Sequence, residues 1–542
     1  MLLAALEGLG EQVRDLSLPL EVADVGAARR LSREIADQLD DYVLPRVRRI
    51  DAPALAVVGG PTGAGKSTLV NSLVGHRVSA AGVLRPTTRS AILAYNPADN
   101  AWFESRRVLP SLGRTTGVSS DPAYLQLAPS PSMPVGLAVL DAPDFDSIVT
   151  ANRELATQLL AAADMWLFVT SAARYADAVP WDFLRVAVTR GTAVAIVLDR
   201  IAPEAVAEVR AHLATMLTEQ GLGGSPLFVV HETTPVDALL PPGAVDVIRQ
   251  WLHGIAGDTA VRTAVVRHTL NGAVRSLGAR LFLLAAASDA QADTASRLRR
   301  EVDQAYDVAV ARVETASGDG SLLRGEVLVR WQEFVGTGEL TRALGPKVRR
   351  PHPPGDELAT ALRAGVEALL RAAADEAAER AAEAWHDDPA GSVLVGEDDL
   401  RHSSPGLPEA AGLAVRDWQG GVLDLVREHG QGKRVSARHP AFGVERLVLL
   451  VMIVMLAPND VLVAGEVAGG AGALTQKILE AVLDDQAVPG LVASARTDLQ
   501  RRLAELLDGE RRRFLSRLAA VPVSEEAGAA LRAAVQDLED AR

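Results

Sequence analysis

The sequence predicts an α/β P-loop domain, a mostly parallel sheet with helices on both faces, followed by a large all-α helical bundle or stalk. Three observations carry this. Gly60–Ser67 reads GPTGAGKS and fits the phosphate-loop pattern GxxxxGK[ST] at every fixed position. Between residues 53 and 257, short apolar β-type runs alternate with helical stretches, the pattern of a parallel sheet covered on both sides. From about Ala260 onward the strand signal almost disappears.

Composition sets the outer limits. The 542 residues are enough for about two to four domains. Aromatics make up 4% of a chain that is 48% apolar, and Ala, Leu, Val and Arg abound, which favours helix over sheet. The net charge of −14 argues against bulk binding to nucleic acid, so none is expected as a partner. There is no cysteine, which excludes disulfides, thiolate nucleophiles and cysteine-ligated metals and fits a reducing compartment. The apolar stretch Met1–Glu7 is too short for a secretory leader and has no basic residues before it, so a cytoplasmic location is expected.

In chain order, residues 1–50 read as a helical segment ending near Pro45 and the Asp51-Ala52-Pro53 break, expected to pack with the bundle. Residues 51–257 form the P-loop domain. Its strands are expected at Leu55–Val58, Gly136–Leu140, Met165–Val169, Ala193–Leu198 and Leu227–Val230, with helices near 153–163, 177–190 and 203–219. Residues 258–542 form the bundle. Within it, Leu358, Leu362, Val366, Leu369 and Ala373 share one face of a helix from Glu357 to Trp385. The Pro- and Gly-rich stretch 345–355 reads as a loop, with a basic cluster suited to an anionic surface. The run Leu447–Ala457 is uninterrupted apolar but shorter than the ~20 residues a spanning helix needs. With the Gly-rich segment after Pro458-Asn459-Asp460 it is expected to form a hairpin at 444–474 that contacts the membrane, a helical core hairpin being the other reading.

The phosphate loop assigns roles by position. An apolar strand leads into Gly60, Thr62, Gly63, Ala64 and Gly65, whose glycines let several backbone N–H groups face one phosphate. Lys66 is placed to reach the β and γ phosphates, Ser67 to ligate Mg2+, and Thr68 to open the helix whose N-terminus favours an anion. Thr88, or Thr87 beside it, lies in Leu84–Arg89 and suits a switch segment completing the magnesium shell. Asp141 ends the apolar strand Ala138-Val139-Leu140 and is the natural carboxylate to support the metal. Lys66, Thr88 and Asp141 are therefore the candidate catalytic residues, and Ser67, Thr88 and Asp141 the candidate metal ligands.

In this order GPTGAGKS, RPTTR and LDAPD resemble the first three motifs of the translation-factor-like GTPases. The forms RPTTR and DAPDFDS, with a long helical region after them, resemble the bacterial dynamin-like proteins, in particular the actinobacterial members encoded as adjacent pairs. Trp166–Trp181, Arg324–Gly338 and the Gly-rich block near 464–486 support the likeness, which spans most of the chain. The resemblance implies a GTPase that takes GTP and GDP with Mg2+, oligomerises with itself or with a paralogous dynamin-like partner, and engages lipid at the inner face of the cell membrane. It also implies a possible link to division-ring proteins and septation.

Three positions depart from that pattern. Asp144 stands where a glycine normally meets the γ phosphate. The base-reading segment is Asp199-Arg200-Ile201-Ala202, without the carboxylate that pairs with guanine at its usual place, so Asp199 and Arg200 are the candidate residues there. Gly63 stands where dynamins carry serine. Slow or partner-dependent hydrolysis follows from these departures. Two other readings compete. A weakly hydrolysing nucleotide-binding scaffold fits the altered motifs. An Era-type GTPase acting on RNA fits the loop and RPTTR but calls for a basic RNA-binding appendage, where this chain has an acidic helical array.

Overall fold

The computed structural model describes residues 1–79, 90–105, 108–109, 111–119, 121–145, 150–330, 354–396, 400–430, 444–456, 479 and 487–541. They form two compact units, Met1–Leu18 with Asp24–Asp289 and Ser524–Arg542, and Pro19–Ala23 with Ala290–Val523.

The first unit is built on an eight-stranded sheet. In chain order its strands are β1 (Ala54–Gly59), β2 (Ala91–Tyr95), β3 (Gly113–Thr115), β4 (Tyr124–Pro129), β5 (Leu137–Asp141), β6 (Met165–Ser171), β7 (Ala193–Ile201) and β8 (Leu227–His231). They lie in the order β3-β4-β2-β5-β1-β6-β7-β8, and among these neighbours only β2 and β5 run antiparallel. Alternation explains the layering. Leu55 and Val57 of β1 enter a core on one face with Trp166 and Phe168, while Ala54, Ala56 and Val58 enter a second core with Leu167 and Val169. Both faces are dry, which is why the central strands read as unbroken apolar runs.

Helix α4 (Lys66–Val74) follows β1 and stops at Gly75, whose φ of +86° is the left-handed turn a helix terminus favours. Helices α5 (Asn100–Phe103), α6 (Thr150–Ala161), α7 (Ala178–Arg190), α8 (Val206–Glu219) and α9 (Asp246–Gly257) complete the wrapping.

The N-terminal helices α1 (Leu2–Asp15), α2 (Val25–Gln38) and α3 (Leu44–Arg48), with a π-helical turn at Leu39–Val43, belong to this sheet unit. Residues 1–50 were expected to pack with the bundle at 258–542. α1 does pack on the helix Ala527–Asp540, and Arg280 of the helix Thr259–Ala316 donates to Gln38 and Glu34. The same stretch also joins the sheet unit, and only Pro19–Ala23 group with the second unit. The reason is a buried anchor. Asp164, just before β6, accepts from the Tyr42 hydroxyl at 3.2 Å, from the Leu55 N–H at 2.7 Å and from the Arg46 guanidinium. Arg46 also donates to the Pro53 carbonyl at 2.9 Å. The π turn and α3 are thereby tied to the foot of the sheet.

Helix α10 (Thr259–Ala316) gives its first half to this unit and its second half to the other. The second unit adds α11 (Pro354–His386), α12 (Pro389–Val395), α13 (Leu407–Gly430), α14 (Val444–Leu456) and α15 (Ala487–Ala519), while α16 (Ala527–Asp540) returns to the sheet unit, packing on α1. Its core holds Trp385, whose indole donates to the Leu298 carbonyl at 3.0 Å, and Trp418, whose indole donates to the Ala495 carbonyl at 2.8 Å. On α11, Leu358, Leu362 and Val366 are buried as expected. The next buried position is Leu370, four residues on, rather than Leu369, which lies at the rim of the core.

The expected membrane hairpin is corrected in part. Val448–Leu456 of α14 are buried throughout in the helical core, with Leu450 and Ile453 each 1% exposed. A helix apolar all round is stable where neighbours cover every side, and here α11, α13, α15 and the turn at Ser321–Leu323 pack against it. Residues 457–474, the second arm, lie outside the described residues, as does the basic cluster at 347–350. Among the described residues no helix is long and apolar enough to cross a membrane.

Candidate nucleotide site at the phosphate loop

The loop is shaped by close backbone approach. A Cβ on Gly60 would stand 2.1 Å from the Val169 carbonyl oxygen of β6, so only glycine lets the chain turn there. Gly63 and Gly65 have φ of +78° and +100°. The turn closes with the Ala64 N–H on the Pro61 carbonyl at 3.2 Å, and α4 begins with the Leu69 N–H on the Gly65 carbonyl at 2.9 Å. Arg174, after β6, steadies the loop by donating to the Thr62 carbonyl at 2.9 Å and to Asp177 at 2.8 Å. Thr68 accepts from the Ser72 hydroxyl at 2.7 Å through its carbonyl, one turn along α4.

Lys66 is buried. Its ammonium donates to the Gly60 carbonyl at 2.8 Å, the Pro61 carbonyl at 3.1 Å and the Asp144 carboxylate. Asp141 ends β5 beside Val58 of β1 and is fully buried. Burial pushes its carboxyl up from the usual carboxylate range, opposed by the Ser79 and Ser67 hydroxyls and the Lys66 charge. Ser79 donates to Oδ2 at 2.5 Å, while Oδ1 is buried and has no hydrogen-bond partner among the described residues.

A buried carboxylate with one unsatisfied oxygen, reached also by the Ser67 hydroxyl, is what a magnesium site needs. Mg2+ takes oxygen donors and keeps several waters, so one hydroxyl and one carboxylate oxygen suffice from the protein. The residues present fit the ion. Thr88 and Thr87, with Arg85 and Arg89, lie outside the described residues.

Asp199 lies at the end of β7, opposite Ser171 of β6. It is 4% exposed and turns back onto the loop, where a Cβ on Gly65 would meet its Oδ2 at 2.0 Å. Its Oδ1 accepts from the Arg200 N–H at 2.8 Å, and burial raises its carboxyl to about 6. Arg200 is exposed with φ of +56°, and the β7–β8 register shifts between Leu198 and Ile201. The strand end therefore presents Arg200 outward and keeps its carboxylate inside.

The structure thus gathers Gly60, Thr62, Gly63, Ala64, Gly65, Lys66, Ser67, Thr68, Asp141 and Asp199 around one loop. It adds Ser79 on Asp141 and Arg174 on the Thr62 carbonyl, contacts that no motif spacing signals. A cavity of about 670 Å3 lies elsewhere and is lined by Arg30, Asp37, Gln38, Asp41, Arg153 and Gln158 among others.

A mostly parallel sheet with a glycine loop between β1 and α4, and a carboxylate at the end of the neighbouring β5, defines a P-loop nucleotide-binding protein, here in a chain that also has a large helical region. No family model matches the chain. A stretch of 132 residues, 24% of this chain, is 28% identical to 13% of a probable transmembrane GTPase, FZO-like and chloroplastic, from Arabidopsis thaliana. Among solved structures, Era in complex with MgGDPNP and a 16S ribosomal RNA segment is 20% identical, matching 37% of this chain and 56% of its own with a TM-score of 0.25. An oligomerised bacterial dynamin pair, described as sensing and tethering membranes over long range, is 11% identical, matching 100% of this chain and 94% of its own with a TM-score of 0.39. The chain spans about one eighth of the curated relative's length and just over half of Era. It resembles the dynamin-like GTPases.

Proposed function

We propose that the protein is a dynamin-like GTPase that binds GTP and GDP with Mg2+ at Gly60–Thr68 and hydrolyses GTP slowly or on contact with a partner. The observation that carries this is the buried Lys66 at the N-terminus of α4, with Ser67 and the half-satisfied Asp141 beside it. Backbone donors, one cation and a metal-holding pair are the parts that phosphoryl transfer uses, since its catalysis is positioning and charge stabilisation. Gly63 and Asp144 remove two of the family's usual aids to hydrolysis, which is why turnover by the chain alone is slow in this reading.

The same reading includes assembly, with itself or a paralogous chain, and peripheral contact with the inner face of the cell membrane, possible partners being division-ring proteins. Its support is the resemblance and the 28% identical GTPase relative. The burial of α14 shifts the expected lipid contact away from Val448–Leu456.

Calorimetric titration with GDP, GTP and ATP in Mg2+ tests the core of the proposal. Wild type should bind guanine nucleotides. Lys66→Ala should lose about a hundredfold in affinity, the size of a charge-assisted contact to phosphate. Equal affinity in wild type and Lys66→Ala sinks the assignment of the loop. Co-sedimentation with anionic liposomes, and sedimentation velocity with and without nucleotide, test the membrane and assembly parts.

A further inference from the structure

Lys66 has three N–H donors, and in this structure all three are engaged: by the Gly60 carbonyl, the Pro61 carbonyl and the Asp144 carboxylate. Two of these acceptors belong to the loop itself. The third is an anion brought from the far side, three residues beyond the end of β5. Asp144 is 15% exposed and Lys66 5%, so the pair sits where water screens it little.

From this we infer that Asp144 is an internal substitute for the γ phosphate, making the resting site complementary to a nucleoside diphosphate and penalising a triphosphate. The inference rests on the nucleotide-binding reading of the loop and adds which nucleotide the loop prefers. A diphosphate fills the cradle of backbone donors and draws Lys66 from the Gly60 and Pro61 carbonyls, while Asp144 keeps its hold on the third N–H. A triphosphate brings further negative charge to the same ammonium, and a carboxylate and a phosphate cannot share it without repulsion. The Asp144 side chain then leaves Lys66.

The surrounding residues limit how it leaves. Asp141 is fixed in β5 against Val58. Phe145 is buried and stacked between Phe168 at 5.9 Å and Phe183 at 4.3 Å. Asp144 is held between two pinned residues, so the exchange is a side-chain rotation while Phe145 stays, or a larger shift that withdraws Phe145 from its stack. Either way, the ligand that triggers it carries a γ phosphate or its equivalent.

The test compares GDP with a non-hydrolysable GTP analogue, both with Mg2+, on wild type, Asp144→Asn, Asp144→Gly and Lys66→Ala, each checked for a native melting transition. Wild type should prefer GDP. Asp144→Asn keeps the shape and removes the charge, and should tighten the analogue about tenfold or more while changing GDP about threefold or less. Asp144→Gly should do the same without the amide's bulk. An unchanged ratio in both variants, or a weaker analogue, overturns the inference and leaves the nucleotide site standing if Lys66→Ala still loses both ligands. No nucleotide binding by any of the four proteins overturns the site and the inference together.

Discussion

The carboxylate of Asp199 lies directly against the α-carbon of Gly65, so close that a Cβ on that glycine would fall 2.0 Å from Oδ2. The end of β7 and the glycine loop therefore brace one another. Gly65 also has φ of +100°, which an L side chain rarely adopts. Gly65→Ala should cost at least a hundredfold in nucleotide affinity and about 1–3 kcal/mol in stability, measured by titration and thermal melting. Adding Asp199→Ala should relieve the clash but not the backbone strain, so recovery should be partial. Full recovery in the double variant would show that the collision alone matters.

Asp199 also makes stability depend on pH. Burial raises its carboxyl from 3.8 to about 6, so between those values the folded state holds a proton that the unfolded chain has released. Stability due to this group therefore falls as pH rises from about 4 to 6, and the full penalty persists above 6. Asp199→Asn retains an acceptor for the Arg200 N–H and never ionises. It should raise stability at neutral pH by about 1–3 kcal/mol and flatten the slope between pH 4 and 6 relative to wild type. Denaturant titrations at pH 4, 5, 6 and 7 read this out, and parallel curves for the two proteins contradict it.

Arg46 and Asp164 form a pair with the guanidinium side chain 6% and the carboxylate side chain 0% exposed. Burial already pushes the Asp164 carboxyl up, and Arg46 is the strongest influence opposing that. Arg46→Met leaves a buried carboxylate with only neutral donors. The expected loss is about 3–5 kcal/mol at neutral pH, since removing one partner strands the other. The loss should shrink on acidification, because a protonated Asp164 no longer needs the cation. A loss independent of pH would mean that Arg46 acts through packing.

How much of this was readable beforehand depends on how local each feature is. The central strands were legible because both faces of β1, β5, β6 and β7 are buried, giving apolar runs bounded by turn residues. β3 and β4 were not. β3 is three partly exposed residues, and Tyr124–Pro129 lies toward the sheet's edge with exposed residues at both ends. Gly60, Gly65 and Lys66 announce themselves because the loop's geometry permits few residue types. The sequence marked Asp144 as a departure, but its union with Lys66 spans 78 positions, and nothing local encodes such a contact. The bond from Ser79 to Asp141, 62 positions apart, was hidden for the same reason.

The apolar run in α14 shows the limit of composition most clearly. Leu447–Ala457 carries no charge, and hydropathy alone suits lipid and protein interior equally. What decides is the neighbourhood: Leu450, Val451, Ile453 and Met455 lie within 1% of full burial in a core shared with Val415, Trp418, Leu491 and Leu499. Leu450→Ala should therefore lower the stability of the helical unit by about 2–5 kcal/mol through the cavity it leaves. Leu450→Asp, or Ile453→Asp, should abolish its cooperative unfolding, because the core offers that carboxylate no partner. Any loss of liposome binding in these variants then reports a collapsed bundle. Circular dichroism melts decide the matter: an Asp variant that keeps the wild-type helical content and midpoint while losing lipid binding would return α14 to the membrane.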